Sequence, residues 1–331
     1  MGGSMAEKFL RHQQAGDNFT GFAAIQKIEL KQKKNGENYL SLYLSDSSGR
    51  IPGKIWKDAE AVLQKLQTGM IVKIKGIMQQ YQDRIELHID NIRAANEKEI
   101  NGLQLIPVSK KEPEPLIEDV KQHISSIKNT HLLELLRKLL PSKENLNHFL
   151  ESPSGKLWHH NYLYGTLESV ASMLDIAVTI SIHYDYLKID LLKTAIILRA
   201  YARQTAIERK IVIEYSSEGR LLGDKLLAFQ TIDTIIRNLE EFPNDLRTEL
   251  FHLLMFGGDN EEKGMNIPPM TIEGIVLNNI ERLDMQTNAA VRIFEQDRVP
   301  GSEWTRYNNL FDRFIYVGNK TDNDKSDKQN D

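Results

Sequence analysis

The sequence predicts a multidomain β + α protein in which a small β-barrel is followed by an all-helical domain. Three observations lead to this fold class. Several stretches of residues 17–95, most clearly "NYLSLYLSD", read as strands, and in this one side chains alternate with a period of two. From Ile117 onward, apolar residues recur at intervals of three and four, which is typical of helices. A charged, proline-containing segment, residues 96–116, separates the two patterns.

The first two predicted strands form a hairpin around Asn35-Gly36, a dipeptide that favours a tight turn. In the second of these strands, "NYLSLYLSD", every other residue is apolar. Because side chains alternate between the two sides of a strand, its leucines face one side, and Tyr39 and Tyr43 face the other. The leucine side is the predicted barrel core.

The remaining elements of the front part follow in a recognisable order. A turn at residues 47–49 leads into a third strand, and Asp58 is the predicted N-cap of a short helix. The stretches "MIVKIKGIMQQ" and "RIELHIDNI" then form a second hairpin. Three strands, a short helix and two strands are the order of an OB-fold barrel.

Seven segments after residue 116 carry the helical pattern, and polar, Pro or Gly connectors separate them. The second domain is therefore predicted to be nearly all helical. The predicted division of the chain is a tag and N-terminal extension (1–16), an OB-fold domain (17–95), a linker (96–116), a helical domain (117–317) and a disordered tail (318–331).

Composition limits the chemistry and the location. The chain has no cysteine, which excludes disulfides, Cys-ligated zinc and thiol catalysis and suits a reducing cytoplasm. No apolar run approaches the roughly 20 residues that a membrane span needs, so no membrane partner is expected. Residues 1–16, 17–95 and 96–331 carry net charges of +1, +3 and −8, which give the net charge of −4. This asymmetry favours an anionic partner for the front domain and not for the rest.

The outer face of the predicted barrel combines aromatic and basic side chains. Bases of a single strand stack on such rings, and lysines contact its phosphates. The candidate nucleic-acid-binding residues are Lys31, Lys33, Tyr39, Tyr43, Lys54 and Trp56. Single-stranded RNA and DNA are equally compatible with this pattern. Alternatively, the rings pack under the short helix or against the second domain.

Adjacent histidines, His159 and His160, raise the question of a metal site, which needs three or four ligands. The stretch that contains them, "GKLWHHNYLYGTLESVASML", resembles the YhaM-type 3′→5′ exoribonucleases, which join an OB-fold to an HD-superfamily phosphohydrolase domain. Three more stretches carry the resemblance: "LLKTAIILRAYAR", "EGRLLGDKLL" and the region from "LFHLLMFGGDN" to "NNIERLDM". The resemblance covers about residues 17–317 and implies an HD-like helical domain.

The metal ligands that this resemblance implies are missing. Where the family has ligand histidines or its His-Asp pair, this chain has Ser169, Arg199, Ala200, Asp224, Gly257 and Gly258. The acidic ligand falls at Glu281 or Asp284. Arginine repels a cation, so Arg199 is expected to occupy the place of the ion and to pair with Asp224 or Glu281. We therefore expect no metal and no cofactor.

His159 and His160 are then expected to pack or to form hydrogen bonds near the helix start. Two alternatives stay open for His160, a phosphate or backbone contact in the substrate channel and a metal ligand.

Three functions fit the sequence. The first is a catalytically inactive protein of this OB/HD type that binds single-stranded RNA or DNA. The second is a 3′→5′ exonuclease with a rebuilt site that holds Mn or Mg, for which His160, Asp224, Asp259, Glu281 and Asp284 are the plausible residues. The third is a protein–protein adaptor. If the protein is the inactive nucleic-acid binder, a protein partner or a second copy of the chain would contact its helical domain.

Overall fold

The fold is taken from a computed structural model of the chain. It describes residues 9–81, 84–96, 99, 105–155, 159–209, 213–256, 267–296, 299, 301–308 and 310–318. Residues 1–8 of the predicted tag, the candidate positions Gly257, Gly258 and Asp259, and the predicted tail after residue 318 lie outside the described residues.

The front part is a closed five-stranded barrel. Its strands are hydrogen-bonded in the order β1-β2-β3-β5-β4, and β3 closes the barrel by pairing in parallel with β5. This confirms the predicted OB-type barrel and the two predicted hairpins. The elements are β1 (Asn18–Gln32), β2 (Asn38–Asp46), β3 (Gly49–Ile55), α1 (Ala59–Leu63), β4 (Ile71–Tyr81) and β5 (Arg84–Ala94).

The alternation of β2 determines what fills the barrel. The side chains of Leu40, Leu42 and Leu44 are fully buried, as the period-two pattern predicts. They pack with apolar residues of the other strands, among them Phe19 and Leu87. Since the leucines point inward, the residues between them must point to the outer surface of the barrel.

The short helix differs in detail from the prediction. Asp58 occupies the N-cap position, but its backbone is left-handed (φ 52°) and its side chain makes no capping hydrogen bond. An aspartate tolerates this conformation better than most residues because its side chain is short and polar. The helix is accordingly brief, from Ala59 to Leu63.

The second part of the chain is helical, as predicted. Its helices are α2 (Pro113–Ser125), α3 (Thr130–Leu139), α4 (Lys143–Leu150), α5 (Gly165–Ser181), α6 (Ile189–Thr205), α7 (Ser217–Leu222), α8 (Asp224–Arg237), α9 (Asn244–Met255) and α10 (Ile272–Gln296). The helices α5 and α6 are buried along most of their length and form the centre of the core. No described helix is both long and apolar enough to cross a membrane.

The boundaries of the helical part differ from the sequence expectation. The first helix begins at Pro113, inside the predicted linker, because proline is favourable in the first helical turn, where its missing N–H loses no bond. A two-stranded hairpin, β6 (Ile207–Arg209) with β7 (Ile213–Tyr215), interrupts the helices. After α10, the described residues of 301–318 contain isolated bridges such as Trp304–Tyr316 instead of a helix. Their many aromatic residues favour extended structure.

Candidate nucleic-acid interface

Strand register brings the predicted aromatic and basic residues to one surface of the barrel. Residues directly opposite each other on neighbouring strands place their side chains on the same side. Lys31 is paired with Tyr39, Ser41 with Lys54, and Tyr43 with Pro52. Three strands thus contribute to one continuous outer surface.

Two rings of this surface form a stack. The rings of Tyr39 and Trp56 lie 4.9 Å apart with an interplanar angle of 28°. The ring centres of His88 and Trp56 lie 5.6 Å apart, with the two planes inclined at 67°. Tyr43 lies further along β2 and is 42 % exposed, and Trp56 is 36 % exposed. The rings of Tyr43 and Trp56 therefore keep exposed surface on which a flat ligand can stack.

Lysines surround the stack. The ammonium groups of Lys33 and Lys54 lie 5.1 and 5.4 Å from the centre of the Trp56 ring. Lys33 also pairs with the exposed carboxylate of Glu37 at 2.9 Å. Lys31 lies 3.5 Å from the partly exposed Glu29. Such exposed ion pairs are weak, so these two lysines are available to a phosphate.

Lys54 differs from the other lysines because its partner is buried. Its Nζ lies 2.7 Å from Oε1 of Glu86, which is only 3 % exposed. The same ammonium lies 4.1 Å from the centre of the Tyr81 ring. Lys54 is therefore held between a carboxylate and two aromatic rings.

Three residues of this surface were not predicted: Tyr81, Glu86 and His88. The indole N–H of Trp56 donates to Nδ1 of His88 at 3.4 Å, and Nε2 of His88 lies 3.4 Å from Oε1 of Glu86. The alternation in "RIELHID" contains a signal, because Glu86 and His88 share one side of β5. The closure of β5 onto β3, which brings His88 opposite Lys54, is not visible in that pattern.

The helical part contains a second polar cluster, at the positions where the resemblance implies metal ligands. Arg199 donates from Nε to Oε1 of Glu281 at 2.9 Å, and its Nη2 lies 2.7 Å from Oε2. The Nη1 of Arg203 donates to the same Oε1 at 3.1 Å. Arg199 also donates to the carbonyl oxygens of Leu253 and Phe256. Of the two expected partners of Arg199, the structure thus shows Glu281.

The charge of Glu281 follows from these contacts. Burial alone would raise the pKa of its carboxyl, but the Arg199 and Arg203 guanidiniums hold that pKa below its ordinary value. The carboxylate is therefore ionised and fully engaged. These residues do not fit a divalent cation, because two guanidiniums occupy the carboxylate that would bind it.

His160 contacts Asp284, the second candidate acidic position on α10. Its Nε2 is 3.1 Å from Oδ2 of Asp284 but forms no hydrogen bond. Ser169 donates to the same oxygen at 2.7 Å. The hydroxyl of Tyr162 lies 3.2 Å from Nδ1 of His160. His160, Ser169 and Asp284 are thus together, and all three are buried.

His159 is held neutral by its surroundings. Burial, reinforced by the nearby Arg203, lowers the pKa of His159 to about 4. Its Nδ1 is buried without a hydrogen-bond partner. A neutral imidazole is consistent with the expected packing role.

Two further candidate positions, Asp224 and Ala200, lie on helices of the described part of the chain. Asp224 begins α8 and accepts a hydrogen bond from the N–H of Lys225, and Ala200 is buried in the core. Gly257, Gly258 and Asp259 lie outside the described residues. Within the described part of the chain, no three His, Asp or Glu side chains are placed so that they could hold a metal ion.

Several known proteins resemble the barrel. The second OB-fold domain of replication protein A from Methanococcus maripaludis is 21 % identical, with 28 % of this chain and 97 % of that chain covered and a TM-score of 0.24. PriB from Ralstonia solanacearum is 15 % identical, with 25 % and 100 % covered and a TM-score of 0.23. A mitochondrial single-stranded DNA binding protein from S. cerevisiae is 10 % identical, with 25 % and 97 % covered and a TM-score of 0.22.

One family matches the barrel by sequence. Residues 24–95 match the family described as "OB-fold nucleic acid binding domain". The match begins within β1 and ends just after β5, so it includes Tyr39, Trp56 and Lys54.

Proposed function

We propose that this protein binds single-stranded nucleic acid through the outer face of its barrel. We call this surface, made by Lys31, Lys33, Tyr39, Tyr43, Lys54, Trp56, Tyr81, Glu86 and His88, the aromatic–lysine face. The observation that carries the proposal is the stack of Tyr39 on Trp56 with Lys33 beside it. The match of the surrounding residues to an OB-fold nucleic acid binding family supports it.

The chemistry of the face suits an unpaired strand. Stacking of a base on an aromatic ring contributes about 1–3 kcal/mol and does not depend strongly on base identity. A duplex keeps its bases stacked on each other, so only a single strand offers free base surfaces to Tyr43 and Trp56. Residues 17–95 carry a net charge of +3, which favours the phosphate backbone.

A salt titration tests this proposal against the adaptor alternative. Fluorescence anisotropy of labelled single-stranded RNA and DNA is measured with the whole protein between about 50 and 200 mM salt. We expect binding to both or to one, with an affinity that falls linearly on a logarithmic plot against salt. If neither the RNA strand nor the DNA strand binds, the proposal is rejected, and a barrel face that binds protein is favoured.

We further infer that the helical part is HD-like and has lost its catalytic function. The bidentate contact of Arg199 to Glu281 supports this, since a guanidinium then occupies the carboxylate at one of the two positions, Glu281 or Asp284, where the resemblance implies the acidic ligand. The alternative, an exonuclease with a rebuilt metal site, would need several carboxylates close enough together to hold a cation, with Arg199 outside that cluster. End-labelled RNA and DNA incubated with Mn or Mg should stay intact. Shortening from the 3′ end that is lost in Asp224→Ala would contradict the inference.

A further inference from the structure

We propose that Lys54, Glu86 and His88 are positioning residues, which orient the rings of Trp56 and Tyr81 for base stacking, and that the phosphate contacts come from other lysines. The inference rests on the proposed function and deepens it. It divides the aromatic–lysine face into a neutral part that holds the rings and a charged part that binds the backbone.

The contacts of these side chains form a closed circuit. The N–H of Trp56 donates to His88, His88 lies against Oε1 of Glu86, and Glu86 pairs with Lys54. The ammonium of Lys54 returns to the Trp56 ring at 5.4 Å and reaches Tyr81 at 4.1 Å. Each ring is therefore held by at least one polar group.

The charge of Glu86 would oppose a phosphate-binding role for Lys54. A carboxylate that is 3 % exposed lies in the middle of a face for a polyanion, and it cancels the charge of the lysine above it. This partner weakens the attraction between Lys54 and a phosphate, because the carboxylate offsets the charge of the ammonium. A lysine that holds two rings gains a fixed position, because its ammonium is anchored at 2.7 Å on a carboxylate that is itself buried.

Pre-orientation of the rings explains how the circuit helps binding. A side chain that is already fixed loses less conformational freedom when a base stacks on it. The phosphate contacts then fall to lysines whose partners are exposed, and Lys33 is the nearest of these to Trp56. Removal of Lys33 should therefore change the salt dependence, and removal of the Lys54–Glu86 pair should not.

The test compares a charge-neutral double variant with a single one in the whole protein. In K54M/E86Q the ion pair is replaced without a change in net charge. We expect its affinity for a labelled single strand to fall by about fivefold or more, in the range of one lost stacking contact. The slope of log affinity against log salt should stay as in the wild type, whereas K33M should reduce that slope by about 0.7.

Two further variants complete the design. The matched control K188M/E249Q removes a Lys–Glu pair of the helical part, with Nζ 2.6 Å from Oε1, and should change neither affinity nor slope. Should K54M/E86Q fail to fold by circular dichroism, His88→Ala serves instead, because it breaks the circuit at Trp56. We expect weaker binding with an unchanged slope.

Three results would overturn the inference. A slope reduced by about 0.7 in K54M/E86Q would mean that Lys54 contacts a phosphate. An unchanged affinity in that variant, or in His88→Ala where it replaces the double variant, would mean that the circuit does not position the rings. If the wild-type protein binds no strand, the proposed function is rejected together with the inference. In the first two results the wild type binds, so the inference fails while the proposed function stands.

Discussion

At the scale of single residues, the helical part shows how one buried charge requires others. A guanidinium at position 199 is tolerable in a core only when a carboxylate neutralises it, and Glu281 supplies that carboxylate. Glu281 is buried, so it in turn needs Arg199 and Arg203. The pairing of Arg199 with an acid could be predicted from sequence, but the choice between Asp224 and Glu281 depended on helix packing.

Removal of one partner of this ion pair should be costly. We expect Arg199→Met to lower the free energy of unfolding by about 3–5 kcal/mol, because it leaves Glu281 buried with less compensation. The double variant R199M/E281Q should recover part of this loss, because position 281 is then uncharged, while Arg203 loses its carboxylate partner. Urea denaturation measures both. Equal destabilisation by the single and double variants would contradict a coupling between the two residues.

The neutral ring of His159 should make stability depend on pH. Its folded pKa of about 4 lies below the ordinary value of 6.5, so between these values the unfolded chain binds more protons. The contribution is therefore fully present above pH 6.5 and is lost as the pH falls toward 4. It amounts to about 3 kcal/mol at most.

Urea denaturation of the wild type and of His159→Phe at pH 7.5 and pH 5 tests this. The wild type should lose more stability on acidification than the variant does. The exposed His183 provides the control, because His183→Gln should retain the full pH dependence. An identical loss in the wild type and His159→Phe would show that His159 is not responsible.

At the scale of elements, regular patterns were predictable and special backbone positions were not. The alternation of β2 and the Asn35-Gly36 turn gave the first hairpin, and the order of strands and helix gave the barrel. The left-handed backbone of Asp58, His160 and Tyr164 depends on tertiary contacts that no local pattern contains. The charges and prolines of residues 96–116 predict a linker, yet α2 starts within it, because proline is tolerated in the first helical turn.

The beginning of α5 offers a test of one such position. A Cβ on Gly165 would lie 2.1 Å from the carbonyl oxygen of His160, whose own backbone is left-handed (φ 42°). Since that neighbour is backbone, it cannot move aside as a flexible side chain would. We expect Gly165→Ala to destabilise the protein by about 1–3 kcal/mol.

Thermal or urea denaturation measures the effect of Gly165→Ala. Thr179→Ala, on the exposed side of the same helix, is the matched control and should change stability by no more than about 0.5 kcal/mol. A Gly165→Ala protein as stable as this control would contradict the close approach of α5 to His160.

At the scale of the whole molecule, the two parts differ in charge and in the use of their polar residues. The barrel is basic and presents aromatic rings and lysines on its surface, whereas the helical part is acidic and holds Arg199 and Arg203 against a buried carboxylate. The fold class and most candidate residues of the barrel face could be predicted from the composition and from the spacing of apolar residues along the chain. The circuit of Trp56, His88, Glu86 and Lys54 did not, because it joins strands far apart in sequence.

Binding of a labelled single strand to the Trp56→Ala protein tests the central claim most directly. Anisotropy is measured for the wild type, Trp56→Ala and the control Trp304→Ala, which removes another exposed tryptophan, 48 % exposed and outside the barrel. We predict that Trp56→Ala weakens binding by about 1–3 kcal/mol and that Trp304→Ala leaves it unchanged. Equal affinities of the wild type and Trp56→Ala would contradict nucleic-acid binding through the aromatic–lysine face.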